Sequence, residues 1–114
     1  MMYKLTGSIP SKKNTWKQSR WGGVYQSAQK EIDGLILQLN TQRKETFKEN
    51  VWVDIIIWGD DRQDLDNQVT TILDILQTAG IIKNDRLVKK ITAQKAIVKK
   101  QFSKAEVEVK KLSP

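Results

Sequence analysis

The sequence predicts a two-layer α+β domain with about four strands in a mixed or antiparallel sheet and two helices. Three observations carry that expectation. Val51–Trp58 alternates in the manner of a strand, with Val51, Val53, Ile55 and Ile57 on one face and Trp52, Asp54, Ile56 and Trp58 on the other. Two stripes recur at helical spacing: Ile32, Leu35, Ile36 and Leu39, then Val69, Ile72, Leu73 and Leu76. The chain has 114 residues, which fits a single domain spanning 1–114 with one modest core.

In chain order, Met2–Ile9 reads as a short extended segment with Tyr3, Leu5 and Ile9 to one side, ended by Pro10. Ser11 to Gly23 reads as a loop, from its Pro, Ser, Asn and Gly-Gly content. Trp16 and Trp21 sit in it among charges, and packing as a lid on the core is favoured over stacking on bases. Ser27 is the expected N-cap of a helix running to about Leu39. Asn40 to Asn50 is polar and reads as a connection. The strand Val51–Trp58 has a second face that is mostly apolar, so a subunit partner or a second layer of the chain should cover it. Gly59 to Gln63 is a turn. A helix then starts near Asp66 or Asn67 and ends at Ala79, with Gly80 just past its end. Lys83-Asn84-Asp85 is turn-like, and Leu87–Val98 follows as a long strand with Ile91, Ala93 and Ile97 on one face. After a connection at Lys99-Lys100, Ala105–Leu112 alternates, with Ala105, Val107 and Val109 inward. No apolar run approaches the ~18 residues of a membrane span. The start lacks a signal-like apolar stretch, so a cytoplasmic protein without a membrane partner is expected.

The chain contains no Cys and no His. Thiol chemistry, disulfides and Cys/His zinc sites are therefore excluded, and imidazole is unavailable as a general base. Any catalysis must use carboxylates with a hard metal ion, or Lys, Tyr, Ser or Thr. The net charge of +7 divides unevenly: +6 over residues 1–30, −6 over 31–82 and +7 over 83–114. An acidic centre between basic ends points to a cation site on a surface that attracts a polyanion; a merely well-solvated basic surface is the plainer alternative.

Asp60, Asp61, Asp64 and Asp66 fall within seven residues. Carboxylates crowded in this way repel, and a cation relieves that repulsion. In an extended segment, Asp64 and Asp66 project to the same side. The alternative is a helix start, with Asp66 or Asn67 as cap and Asp64 favouring the positive helix end. Spacing alone does not decide whether Asp85 meets them. A calcium EF-hand is excluded, since no register supplies its Gly and Glu positions.

Asp64-Leu65-Asp66-Asn67, Ile72-Leu73-Asp74-Ile75-Leu76, Ala79-Gly80-Ile81-Ile82 and Asn84-Asp85-Arg86-Leu87-Val88 together resemble the signature of RusA-type Holliday junction resolvases. Ile9-Pro10-Ser11-Lys12-Lys13-Asn14 and Tyr25-Gln26-Ser27 are similar to that family's N-terminal pattern. The resemblance implies a homodimeric, magnesium-dependent endonuclease of DNA recombination and repair that resolves four-way junctions by paired symmetric cuts. It implies that Asp64, Asp66 and Asp85 are catalytic and bind Mg²⁺, as one ion or two, with Mn²⁺ able to substitute. Asp74 matches a further family acid and is expected to support the site from behind. The family commonly carries a catalytic lysine where this chain has Thr70. A weakly active or non-catalytic branched-DNA-binding module is the alternative that this departure leaves open, and flaps or forks are alternative substrates. Lys12, Lys13, Lys17 and Arg20 form one expected DNA-binding patch; Lys83, Arg86, Lys89 and Lys90 form another, beside the metal. Trp52, Ile56 and Trp58 are the expected dimer interface.

Overall fold

The computed structural model describes residues 1–11, 16–18, 24–26 and 29–112, with side chains for 1–11 and 29–112. The main sheet has four strands: β1 (Met2–Thr6), β4 (Val51–Gly59), β5 (Val88–Ile97) and β6 (Lys104–Lys111). Their order across the sheet is β1-β6-β4-β5. β6 runs antiparallel to both β1 and β4, while β5 runs parallel to β4, so the sheet is mixed. Two helices, α1 (Gln29–Gln42) and α2 (Leu65–Thr78), pack on one face. The expected α+β architecture is therefore observed.

A short strand, β2 (Trp16–Gln18), lies within the stretch read as loop and pairs antiparallel with β3 (Val24–Gln26), just after that stretch. Lys12, Lys13, Arg20, Trp21 and the expected cap Ser27 lie outside the described residues. Trp16 and Lys17 belong to β2, but their side chains are not described.

The core forms where the alternating strand faces meet the helical stripes. Val51, Val53, Ile55 and Ile57 of β4 and Ala105, Val107 and Val109 of β6 are all buried against Ile32, Leu35 and Leu39 of α1 and Ile72, Ile75 and Leu76 of α2. Burying one such side chain contributes roughly 1.5–3 kcal/mol. Phe47, an isolated apolar residue in a polar stretch, is buried as well. Its N–H donates to the Ile81 carbonyl and its own carbonyl accepts from the Lys83 N–H, which ties the α1–β4 connection to the segment after α2.

The two sheet edges are treated differently. On β1, the side-chain amides of Gln38 and Gln42 act as a substitute strand. The Thr6 N–H donates to Gln38 Oε1 at 2.8 Å and the Lys4 N–H to Gln42 Oε1 at 2.9 Å, while the Gln38 and Gln42 Nε2 groups donate back to the Thr6 and Lys4 carbonyls. Among the described residues, nothing comparable covers β5. The face of the sheet away from the helices is not the apolar surface expected. Lys90 and Lys110 place their ammonium groups 4.1 and 4.4 Å from the Trp52 ring centroid, and Lys104 lies 4.6 Å from that of Trp58. The tryptophans are half-covered by lysines of their own chain, which makes the face charged. No described helix is long and apolar enough to cross a membrane.

α2 ends in a Schellman motif. The Ile81 N–H donates to the Leu76 carbonyl and the Gly80 N–H to that of Gln77, with Gly80 at φ 77°. A Cβ at Gly80 would stand 2.6 Å from Nη1 of Arg43, which itself donates to the Ala79 carbonyl. Gly34, in the middle of α1, has open space where a Cβ would go. Gly80→Ala is expected to destabilise the domain by more than about 1 kcal/mol, whereas Gly34→Ala stabilises it by about 0.5–1 kcal/mol. Urea midpoints at unchanged m-value read both shifts.

Candidate functional site

The acidic segment follows the C-terminal end of β4. The Arg62 guanidinium holds Asp60, with Nε–Oδ2 at 2.9 Å and Nη2–Oδ2 at 2.7 Å, and the Arg62 backbone N–H donates to its other oxygen. Hydrogen bonding to Arg62 lowers the Asp60 pKa and raises that of Arg62. Asp60 is thereby committed to closing the turn. Lys95, projecting from β5 on the helix-covered side, donates from Nζ to the Gln63 carbonyl at 2.7 Å and fixes the residue before α2. The pattern of the sequence did not single out Lys95, because an alternating strand position offers no sign of what lies above it.

Asp64 occupies the N-cap position of α2, yet its carboxylate makes no capping hydrogen bond. It is exposed, and no described side chain pairs with it. Asp66 is exposed in the first turn, and its Oδ1 accepts from the Asn67 N–H at 2.9 Å. Helix capping thus does not account for the Asp64 side chain. Both carboxylates sit at the end of α2 where unpaired N–H groups carry partial positive charge. Thr70, one turn on, turns its hydroxyl back to the Asp66 carbonyl at 3.1 Å. Asp74 is half-buried further along α2.

Asp85 lies at the other end of the helix. It opens a 3-10 turn (Asp85–Leu87) that leads into β5, and its N–H donates to Gln77 Oε1 at 2.7 Å. Gln77 is the thirteenth residue of α2 counted from Leu65. At 1.5 Å per residue, Asp64 and the Asp85 anchor stand roughly 20 Å apart. No group of three or more carboxylates among the described residues is placed to hold one metal ion. The Asp64–Asp66 pair fits the needs of Mg²⁺, which takes one or two carboxylates and completes its shell with water and phosphate oxygens. The full set of three does not fit around one ion within one chain.

The expected basic patch Lys83, Arg86, Lys89 and Lys90 is exposed and lies with Asp85, not with Asp64 and Asp66. Lys90 points to the opposite sheet face, over Trp52. Beside the start of α2 is a cleft of about 420 Å³ whose lining includes Ile9, Pro10, Glu31, Arg62, Gln68 and Lys100. Gln68 is buried in it. Its Nε2 donates to the Ile9 carbonyl, and its Oε1 has no described partner. Gln68 therefore joins the N-terminal Ile9-Pro10-Ser11 segment to α2, a link invisible in sequence because the residues stand 59 positions apart.

Residues 8–110 match the family model described as Endodeoxyribonuclease RusA. A search of curated proteins finds no match.

Lys95→Met is expected to release the Gln63 carbonyl and loosen the start of α2, at a cost of about 1 kcal/mol. Hydrogen exchange at the Gln68 amide, which donates to the Asp64 carbonyl, should quicken. The exposed Lys89→Met on the same strand should leave that rate unchanged.

Proposed function

The chain belongs to the endodeoxyribonuclease RusA family, and from that premise we propose that it is a divalent-metal-dependent nuclease that resolves four-way DNA junctions by paired, symmetric phosphodiester cleavage. The observation that carries this reading is the exposed Asp64 carboxylate, left without a capping bond at the head of α2, inside a family match that spans nearly the whole chain. Asp64 and Asp66 are the residues that would hold Mg²⁺, or Mn²⁺ in its place. Such an ion, when bound, supplies an activated water and neutralises phosphate charge.

The chain's own groups do the rest. The α2 N-terminus adds partial positive charge where a phosphate would approach. Arg62 and Lys95 hold the loop that presents the two aspartates. The lysine-rich surfaces bind the DNA arms through their phosphates, and each contact should steepen the dependence of log affinity on log salt by about −0.9. Two symmetric cuts call for a dyad, so the active species is a homodimer. A protein acting on that DNA would work in the cytoplasm.

One observation favours a second reading. The Thr70 hydroxyl is engaged by the Asp66 carbonyl and supplies no positive charge, as the family's lysine would. A weakly active or purely junction-binding protein of the same fold follows from that.

Nicking of a synthetic four-way junction in Mg²⁺ separates the two. The nuclease reading expects wild type to cut, Asp66→Asn to cut at least about 100-fold more slowly while binding the junction as well or better, and Thr70→Lys to cut faster. Tight binding by wild type with no cleavage in Mg²⁺ or Mn²⁺ would leave the binding module standing. Competition with flaps and forks then ranks the substrates.

A further inference from the structure

We propose, resting on the nuclease reading of this chain, that the cleft beside the head of α2 receives one unpaired nucleobase of the DNA, whose exocyclic amino group donates to Gln68 Oε1. A buried amide ordinarily uses both of its ends. Gln68 is 3% exposed, and it uses only one. Its Nε2 donates to the Ile9 carbonyl at 2.8 Å, whereas its Oε1 accepts from no described group. Because a carbonyl can only accept, the amide nitrogen must face Ile9, and the unused end is an acceptor that calls for a donor. An acceptor buried without one costs stability that an incoming donor restores. The other buried side chains of α2 carry no such debt: Ile72, Ile75 and Leu76 are apolar, and the Thr71 hydroxyl bonds back to the Asn67 carbonyl. Beside the cleft, next to Pro10, Ser11 repeats the pattern with a buried hydroxyl that has no described partner.

The cleft that Gln68 lines suits a neutral planar group. Its volume of about 420 Å³ falls within the ~300–1,000 Å³ of small-ligand pockets. Its charges cancel: Asp60 is held by Arg62, and Glu31 offsets Lys100. A phosphate finds no excess of positive charge there. Ile9 and Pro10 supply an apolar wall. Arg62, bonded to Asp60 through both Nε and Nη2, carries a guanidinium whose plane cannot turn freely. Such planes stack on unpaired bases.

Position selects a nucleobase over other neutral ligands. Gln68 follows Asp64 by four residues, which puts the two on the same side of α2, about 6 Å apart. A strand whose phosphate is held at Asp64 and Asp66 therefore has a base within reach of the cleft. Inside a duplex, a base has its amino group committed to its complement. Beside the branch point of a junction, it can leave the stack and offer that group to the protein. Adenine, cytosine and guanine carry an exocyclic amino group, and thymine carries none. The one ring N–H of thymine lies between two carbonyls, which would be turned toward Gln68 Oε1 and repelled by it. Gln68 thus favours an amino-bearing base at this place, a choice that the aspartates and the lysine-rich surfaces cannot make.

The test removes the contact from each side in turn. Static four-way junctions carry adenine, or purine lacking only the amino group, at each position adjoining the branch point. Fluorescence anisotropy in EDTA reads affinity with no cleavage to complicate it. For wild type, purine at one of these positions should weaken binding about tenfold, whereas Gln68→Met should bind the adenine and purine junctions alike to within about twofold. Each protein serves as its own reference, so a general loss of affinity in the variant cancels. A wild type indifferent to the amino group at every position overturns the proposal. An equal loss in wild type and Gln68→Met overturns it too, because the contact then lies elsewhere. Should Gln68→Met fail to fold, Ser8→Trp blocks the cleft from its exposed rim. It should likewise erase the difference, and an amino dependence that survives it counts against the cleft. A wild type that shows the dependence but never cuts in Mg²⁺ or Mn²⁺ defeats the nuclease reading and leaves this contact standing.

Discussion

Parallel pairing between β4 and β5 is the constraint from which the rest of this molecule follows. Two parallel neighbours cannot be joined by a tight turn, so the chain must travel back along the sheet before β5 starts. α2 makes that return, and it buries Ile72, Ile75 and Leu76 over the apolar face of β4 in doing so. The loops at its two ends are thereby held at opposite ends of the sheet. The acidic segment after β4 and the Asn84-Asp85-Arg86 turn before β5 are separated by the full length of a helix. Residues close in the sequence motif are thus distant in one chain, for reasons that belong to the topology and not to their own chemistry.

Much of the core was legible because alternation and helical spacing report a difference between two environments. Ala105, Val107 and Val109 read as inward-facing, and they are buried; the stripes of α1 and α2 likewise name the residues that reach the sheet. Gly80 was readable as a helix stop because only a left-handed residue closes that turn without strain. The placement of β5 was not readable. Ile91, Ala93 and Ile97 look like a core face, but their exposure depends on the strand lying at an edge, which is a tertiary fact. Phe47 carries no periodic signal at all, and Gln38 and Gln42 look like ordinary surface amides until β1 is seen beside them.

The candidate site was half legible in the same sense. Crowded carboxylates and the absence of His and Cys marked Asp64 and Asp66, and the structure shows that Asp64 is not spent on capping. Asp60, from the same crowd, is instead taken up by Arg62. That partition could not be read from spacing, since any of the four acids had an arginine within reach. Lys95 and Gln68 escaped notice because their partners are backbone carbonyls far away in sequence, at Gln63 and Ile9.

The sheet's two faces and two edges divide the work among themselves. The helix-free face is charged, its tryptophans overlaid by Lys90, Lys104 and Lys110; desolvating those ammonium groups would oppose burial of the face against an apolar partner. One edge is closed by the glutamine amides, while the other, β5, leaves Ile91 and Ile97 exposed.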